Sequence, residues 1–311
     1  MLCVAAYAKI NWTLDILGTR PDGYHLMDML MQTVSLCDLM WLEEAPEVTL
    51  EAAGAEGTAA AAEGAMSSEP VRYDASNLVY RAALLLRERC GVRRGVRMRL
   101  QKRIPSGAGM GGGSADAAAA LRGLNTLWRL GLSREELMRL GLELGADVPF
   151  LLTGGLARVG GIGEEIVPLL PAPQVWLVFL QPCGGLSTRE VFSAFDALDP
   201  AALRRPDNAA AQEALLGGSL RALGAAMGNV LEAVSVPARP ALSQARQALE
   251  AAGAVRAMMT GSGSVVYGVF ETCAGAARAK AALDLLAARC GWGQVWLART
   301  LPRGEKSVAI T

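Results

Sequence analysis

The stretch PSGAGMGGGSADAAAALRGLN, Pro105 to Asn125, constrains this chain more than any other. Five of the seven residues from Gly107 to Gly113 are glycine, and an alanine-rich run follows at once. Glycine loses more conformational freedom on folding than any other residue, so such a run belongs where side chains would be in the way. Alanine is the strongest helix former, so the pattern reads as a loop opening directly into a helix. Successive backbone N–H groups at a glycine turn, beside a helix N-terminus, make a cradle for an anion such as phosphate. Ser114 is the expected N-cap of that helix.

Three phosphate motifs compete with a purely structural glycine turn. Gly107 to Gly112 formally fits the dinucleotide pattern GxGxxG. That fold also needs a strand ending in an acidic residue about 20 positions on. Here SREELMRLGLELG occupies the region and reads as helix. A Walker A loop would place lysine before its serine, and Gly113 stands there instead. A phosphate cradle of a third kind remains.

Composition narrows the class. At 311 residues, 52% of them hydrophobic, the chain can build one large domain or two modest ones. Thirty basic residues balance thirty acidic ones, which argues against nucleic acid or an anionic membrane as partner. Cys3, Cys37, Cys90, Cys183, Cys273 and Cys290 show no CxxC spacing. They are expected to be reduced, mostly buried thiols of a cytoplasmic protein. His25 is the single histidine, which excludes multi-histidine metal sites. No basic leader opens the chain, and no apolar run approaches the roughly 18 residues of a membrane helix.

Along the chain, Val4 to Ile16 alternates strictly. Val4, Ala6, Ala8, Ile10, Trp12, Leu14 and Ile16 share one face, while Tyr7, Lys9, Asn11, Thr13 and Asp15 share the other. The pattern predicts a half-buried strand. RPDG signals a turn, and a methionine-rich strand follows over Leu26 to Leu36. Residues 51–70, low in complexity and rich in Ala, Gly and Glu, read as a flexible surface insertion. A helix is expected over Asn77 to Cys90, and a strand through Val96, Met98 and Leu100. SREE, from Ser133, is a capping box whose helix Gly145 should close, and STRE, from Ser187, is another. Strands are expected at Gln174 to Leu180, Ser264 to Phe270 and Gln294 to Ala298, with helices over Ala241 to Ala252 and Ala274 to Cys290. Strands and helices mix without regular alternation, which favours an α+β fold.

The glycine segment resembles the phosphate loop of the galactokinase, homoserine kinase, mevalonate kinase and phosphomevalonate kinase superfamily. AYAKINWTLDILGTRPDGYHLMDMLMQTVSLCD, LGADVPFLLTGGLARVGGIGEEI and MTGSGSVVYGVF extend the resemblance along most of the chain. Residues 51–70 and the tail after about Leu301 lie outside it. The resemblance implies a two-domain α+β small-molecule kinase with its active site in the interdomain cleft. Residues 1–165 would form the ATP-binding domain and 166–311 a C-terminal α+β domain. The motifs are most similar to the branch serving the non-mevalonate isoprenoid route. Its acceptor carries a cytidine diphosphate group and is phosphorylated on a tertiary hydroxyl with ATP and Mg²⁺.

The resemblance also implies roles. Lys9 and Asp147 are the catalytic pair. Pro105, Ser106, Gly107, Ala108, Gly109, Met110, Gly111, Gly112, Gly113, Ser114 and Ala115 form the ATP loop, supported by TGSGS at Thr260 to Ser264. Asn11, Tyr24, His25 and Phe192 bind the acceptor, with aromatic stacking and a histidine hydrogen bond at the cytosine. Metal ligands stay unassigned, Ser114 being the one hydroxyl offered to Mg²⁺. Taken alone, the same residues read more plainly: Asp147 as a turn cap, Lys9 as a solvent-facing lysine, Tyr24-His25 as a surface turn pair. A sibling kinase acting on mevalonate, homoserine or a sugar is one rival, and an inactive nucleotide-binding relative is another.

Overall fold

A computed structural model describes residues 1–53, 71–303 and 308–310. Most of the expected insertion, residues 54–70, lies outside the described residues. The first of two sheets has eight strands. β1 (Leu2–Thr19) and β2 (His25–Ala45) pair antiparallel across the RPDG turn, with register shifts at three points along their length. β3 (Val48–Ala52) precedes α1 (Leu78–Cys90), which starts at its Asn77 cap as expected. β4 (Gly95–Gln101) runs antiparallel to β2 and parallel to β3, and hands the chain to the glycine loop. Next come α2 (Gly112–Leu127), α3 (Arg134–Leu142) and α4 (Val148–Thr153). The reciprocal Ser133–Glu136 box opens α3, but the helix ends at Leu142, short of Gly145. β5 (Leu156–Gly161) then pairs with β2, and β6 (Glu165–Leu169) with β5.

The second half begins with β7 (Trp176–Leu180), α5 (Thr188–Phe195), α6 (Asn208–Gly217) and α7 (Leu220–Ala226). β8 (Gly228–Asn229), α8 (Glu232–Ala238), α9 (Pro240–Ala251) and β9 (Arg256–Met259) follow. β10 (Val266–Phe270), α10 (Cys273–Cys290), β11 (Val295–Arg299) and β12 (Val308–Ile310) complete the chain order. The second sheet runs β11-β7-β10-β9, antiparallel throughout. β8 and β12 return to the first sheet, both against β1. Among the described residues no helix is long and apolar enough to cross a membrane.

Two expectations need correction. From Ala8 to Ile16 every residue of β1 is buried, including Lys9, Asn11, Thr13 and Asp15. The polar face is covered because the rest of the molecule closes over it. Lys9 N donates to Met110 O of the glycine loop at 3.1 Å. The Tyr267 hydroxyl of β10 donates to Asn11 O at 2.7 Å. An alternating strand thus serves as a partition between the hydrophobic core and a polar cleft. The six cysteines are free thiols, but none is fully buried, and Cys273 and Cys290 are exposed. Those two are the end residues of α10, where side chains leave the packed face.

Candidate active site

The cleft is built around the entry to α2. Gly111, in the left-handed conformation with φ +69°, precedes the helix, and no side chain caps it. This corrects the expectation for Ser114, which sits inside the first turn. The reason is space: a Cβ on Gly111 would meet Lys9 Cγ at 3.1 Å and Asp147 Oδ2 at 3.4 Å. The helix therefore starts on a glycine pressed against both residues, and its first N–H groups remain without a side-chain acceptor. An uncapped helix start of this kind suits an anion.

The loop is braced from the other lobe. A Cβ on Gly109, whose φ is +82°, would land on the Thr260 carbonyl oxygen, and one on Gly261 would meet Gly109 O at 2.7 Å. Val265 N donates to Ala108 O at 3.2 Å. Asn229 Nδ2 then holds the brace itself, donating to Met259 O at 3.0 Å and Gly261 O at 2.8 Å. Glycine here permits backbone to touch backbone, so the TGSGS turn supports the loop physically.

Lys9 is buried, with 6% of its side chain exposed. Its ammonium donates to Asn11 Oδ1 at 2.8 Å and lies 3.7 Å from Asp147 Oδ2. Asn11 is placed in turn by Thr260, whose Oγ1 accepts from Asn11 N at 3.3 Å. Asp147 stands at the start of α4, with Pro149 in the first turn, yet its side chain makes no capping bond. A third of that side chain stays exposed, so the carboxylate is available to the cleft.

Behind the loop lies a group that sequence reading passed over. Lys102 Nζ donates to Asp116 Oδ2 at 2.6 Å and also to Asp38, which accepts from the backbone N–H of Arg103 and of Ile104. Burial above all, with the Asp38 charge beside it, raises the Asp116 carboxyl well above its ordinary pKa against the pull of Lys102. Burial alone would lower the Lys102 ammonium, but the Asp116 and Asp38 carboxylates outweigh it and raise the group. The cluster ties β2, the end of β4 and α2 together under the loop. Its one sequence signal was a lysine directly after β4.

Beside the RPDG turn, His25 Nε2 and Asp196 Oδ1 are 2.7 Å apart. The His25 and Phe192 rings lie 4.8 Å apart, tilted by 50°. Ser187 caps α5 by accepting from Glu190 N, which fixes the helix carrying Phe192. Thr188 and Ser262 hydroxyls are 3.0 Å apart and join α5 to the TGSGS turn. Tyr24 is 59% exposed on the RPDG turn.

Lys9, Asn11, Tyr24, His25, Asp147 and Phe192 line one cleft of about 560 Å³, together with Gly107 to Gly109 and Gly111 to Ser114. Pro105, Met110 and Ala115 are buried, and these three and Ser106 are absent from its walls. Asp196, Thr188 and Ser262 were not anticipated. Asp196 follows Phe192 by four positions, the spacing that places two residues on one helix face.

A glycine loop that opens into an uncapped helix, braced by a second glycine turn and with a lysine and a carboxylate beside it, suits a small-molecule kinase. The model of the GHMP kinases N terminal domain matches residues 77–155, and that of the GHMP kinases C terminal domain matches 211–286. The chain is 44% identical over 268 residues to the 4-diphosphocytidyl-2-C-methyl-D-erythritol kinase of Symbiobacterium thermophilum, covering 86% of this chain and 89% of that one. A crystal structure of 4-(cytidine 5'-diphospho)-2C-methyl-D-erythritol kinase superposes with a TM-score of 0.76 at 34% identity, over 97% of this chain and all of the other. Homoserine kinase from Cytophaga hutchinsonii shares the fold, with a TM-score of 0.69 at 18% identity over 99% and 96% of the two chains. These matches define an ATP-dependent small-molecule kinase of the GHMP type. Within that class, the chain belongs to the 4-diphosphocytidyl-2-C-methyl-D-erythritol kinase family.

Proposed function

We infer that this protein transfers the γ-phosphoryl group of ATP to the 2-hydroxyl of 4-diphosphocytidyl-2-C-methyl-D-erythritol, in the non-mevalonate route to isoprenoid precursors. One observation carries the reading: the glycine cradle, the Lys9–Asp147 pair and the His25–Phe192 rings share a single cleft. Phosphoryl transfer asks a protein mainly to position its reactants and neutralise charge. In this reading the N–H groups at the start of α2 hold ATP phosphate oxygens. Asp147 orients the acceptor hydroxyl and takes its proton as the oxygen bonds to phosphorus and the bond to ADP breaks. Lys9, 3.7 Å from Asp147 Oδ2, offsets negative charge developing on the transferred group. Phe192 and Tyr24 supply ring faces for cytosine, His25 a hydrogen bond, and Asn11 fixes the lysine.

Magnesium entering with ATP would find a hard oxygen donor in the Ser114 hydroxyl, which caps nothing. Such a donor suits that ion, and it would neutralise phosphate charge there. We further place the division between the two domains just after β6, a few residues beyond the expected 165 because β6 pairs with β5 in the first sheet, and the enzyme in the cytoplasm, consistent with its free thiols.

The test offers the purified protein Mg-ATP with the cytidine-bearing acceptor, methylerythritol phosphate, mevalonate and homoserine in turn, following ADP release. Turnover should be confined to the first. Equal turnover of mevalonate or homoserine would replace this reading with a sibling kinase.

A further inference from the structure

A second concavity, of about 380 Å³, shares no lining residue with the cleft. Four arginines from three separate segments converge on it: Arg204 and Arg205 before α6, Arg246 on α9 and Arg256 on β9. Like charges gather at a cost unless counter-charges match them. Here two are matched. Arg205 is paired with Asp15 at 2.8 Å and also donates to Ile16 O at 3.0 Å. Arg246 is paired with Glu232 at 3.3 Å. Arg204 and Arg256 form no ion pair among the described residues, but the Glu232 carboxylate, which also lines the concavity, feels the charge of Arg256 as well as that of Arg246, and Glu250 accepts from Ala257 N at 3.4 Å. Moreover, the Nε groups of Arg246 and Arg256 are buried without any hydrogen-bond partner. A buried donor left unpaired is rare in native proteins and calls for an explanation such as an ion.

We propose that this concavity binds a small anion of the phosphate or diphosphate class, held by Arg204 and Arg256. The planar guanidinium fork matches phosphate oxygens in pairs, and arginine stays charged at any physiological pH. The anion would supply the counter-charge that Arg204 lacks and balance the surplus of arginine over carboxylate in the lining. Nothing in this proposal depends on which alcohol the enzyme phosphorylates.

Pyrophosphate is the probe, and the main cleft must be occupied first because its glycine cradle would also take the anion. Titrating pyrophosphate calorimetrically into ADP-saturated protein should reveal one saturable site. Arg204→Gln/Arg256→Gln should weaken that site at least ten-fold while leaving ADP affinity unchanged within two-fold. Arg204 is exposed, so Arg204→Gln alone folds safely and should weaken binding about three-fold. Absence of a site in ADP-saturated protein overturns the proposal. Unaltered pyrophosphate affinity in Arg204→Gln does so too, because the anion would then be sitting in the main cleft.

Discussion

The two ends of the cleft are made of different materials. The end proposed for phosphate is backbone: Gly109 and Gly261 touch through their main chains, and the start of α2 presents N–H groups past a glycine cap. The end proposed for the acceptor is side chain: a histidine on β2 set against a phenylalanine on α5 and the aspartate that follows the helix. Phosphate is common to every kinase substrate pair, and main-chain donors recognise it whatever the neighbouring residues are. A base must be told from other groups, and that requires rings and polar atoms chosen one by one. Between the two, Lys9 and Asp147 adjoin the loop through Gly111, so the proposed chemistry would be coupled to the backbone end. Substitutions should separate along the same line.

The largest effect is expected at the junction. Asp147→Asn keeps the shape and removes the charge beside Lys9, and should lower kcat by roughly 10²-fold or more, the usual contribution of a positioned base. ATP affinity, measured by equilibrium binding, should stay within about two-fold, because the phosphates are held by main chain in this reading. Near-normal turnover would remove Asp147 from the chemistry. The next effect belongs to the backbone end. Gly109→Ala places a Cβ on the Thr260 carbonyl oxygen at a positive φ, so the brace must move. The ATP KM should rise by about ten-fold or more, given a strain of order 1–3 kcal/mol. Gly112→Ala is the contrast: its closest neighbour would be Ile104 Cγ2, a side-chain atom at 3.1 Å, and its φ needs no glycine. It should change the ATP KM by less than about three-fold. Equal damage from both substitutions would mean that crowding, and not the two-lobe brace, sets the loop.

Legibility in sequence followed the same division. Glycine spacing exposes a backbone device directly, so the cradle, its helix and its bracing turn could be located from residues 105–125 and 260–264. The cap could not, because Ser114 has the right chemistry and only the crowding of Lys9 and Asp147 against Gly111 moves the helix start. Lys9 read as solvent-facing on its strand pattern, since alternation cannot report that a second lobe covers the polar face. The resemblance pointed to the Tyr24-His25 pair, and both line the cleft, whereas nothing in the sequence pointed to Asp196. It lies 171 residues from His25, and only folding brings the two within 2.7 Å. Helices α6 to α8 also escaped notice, being short or carrying Pro237 within them.

At the side-chain end the effects should be smaller and confined to the acceptor. Phe192→Ala removes the ring packed 4.8 Å from His25. Stacking of a base on an aromatic ring contributes about 1–3 kcal/mol in single-strand binders, so the acceptor KM should rise roughly ten-fold. The ATP KM should not move. A matching rise in both would show that α5 reaches the phosphate end through Thr188 and Ser262, and the separation of the two ends would fail.

Asp196→Ala should have the smallest effect, and it sharpens the comparison most. Its carboxylate touches His25 Nε2 at 2.7 Å, but half of the side chain is exposed, so solvent can replace the bond. Exposed pairs of this kind typically contribute about 0–1 kcal/mol. The acceptor KM should therefore rise about two- to five-fold, with kcat and the ATP KM unchanged. What Asp196 offers is orientation: a ring nitrogen engaged by a carboxylate leaves the other nitrogen with a defined role toward the base. If Asp196 acts through His25, then Asp196→Ala should add almost nothing in a His25→Ala background, and a double-mutant cycle reads that directly. Additive losses would mean that Asp196 meets the acceptor independently. The side-chain end would then consist of separate contacts instead of one oriented unit.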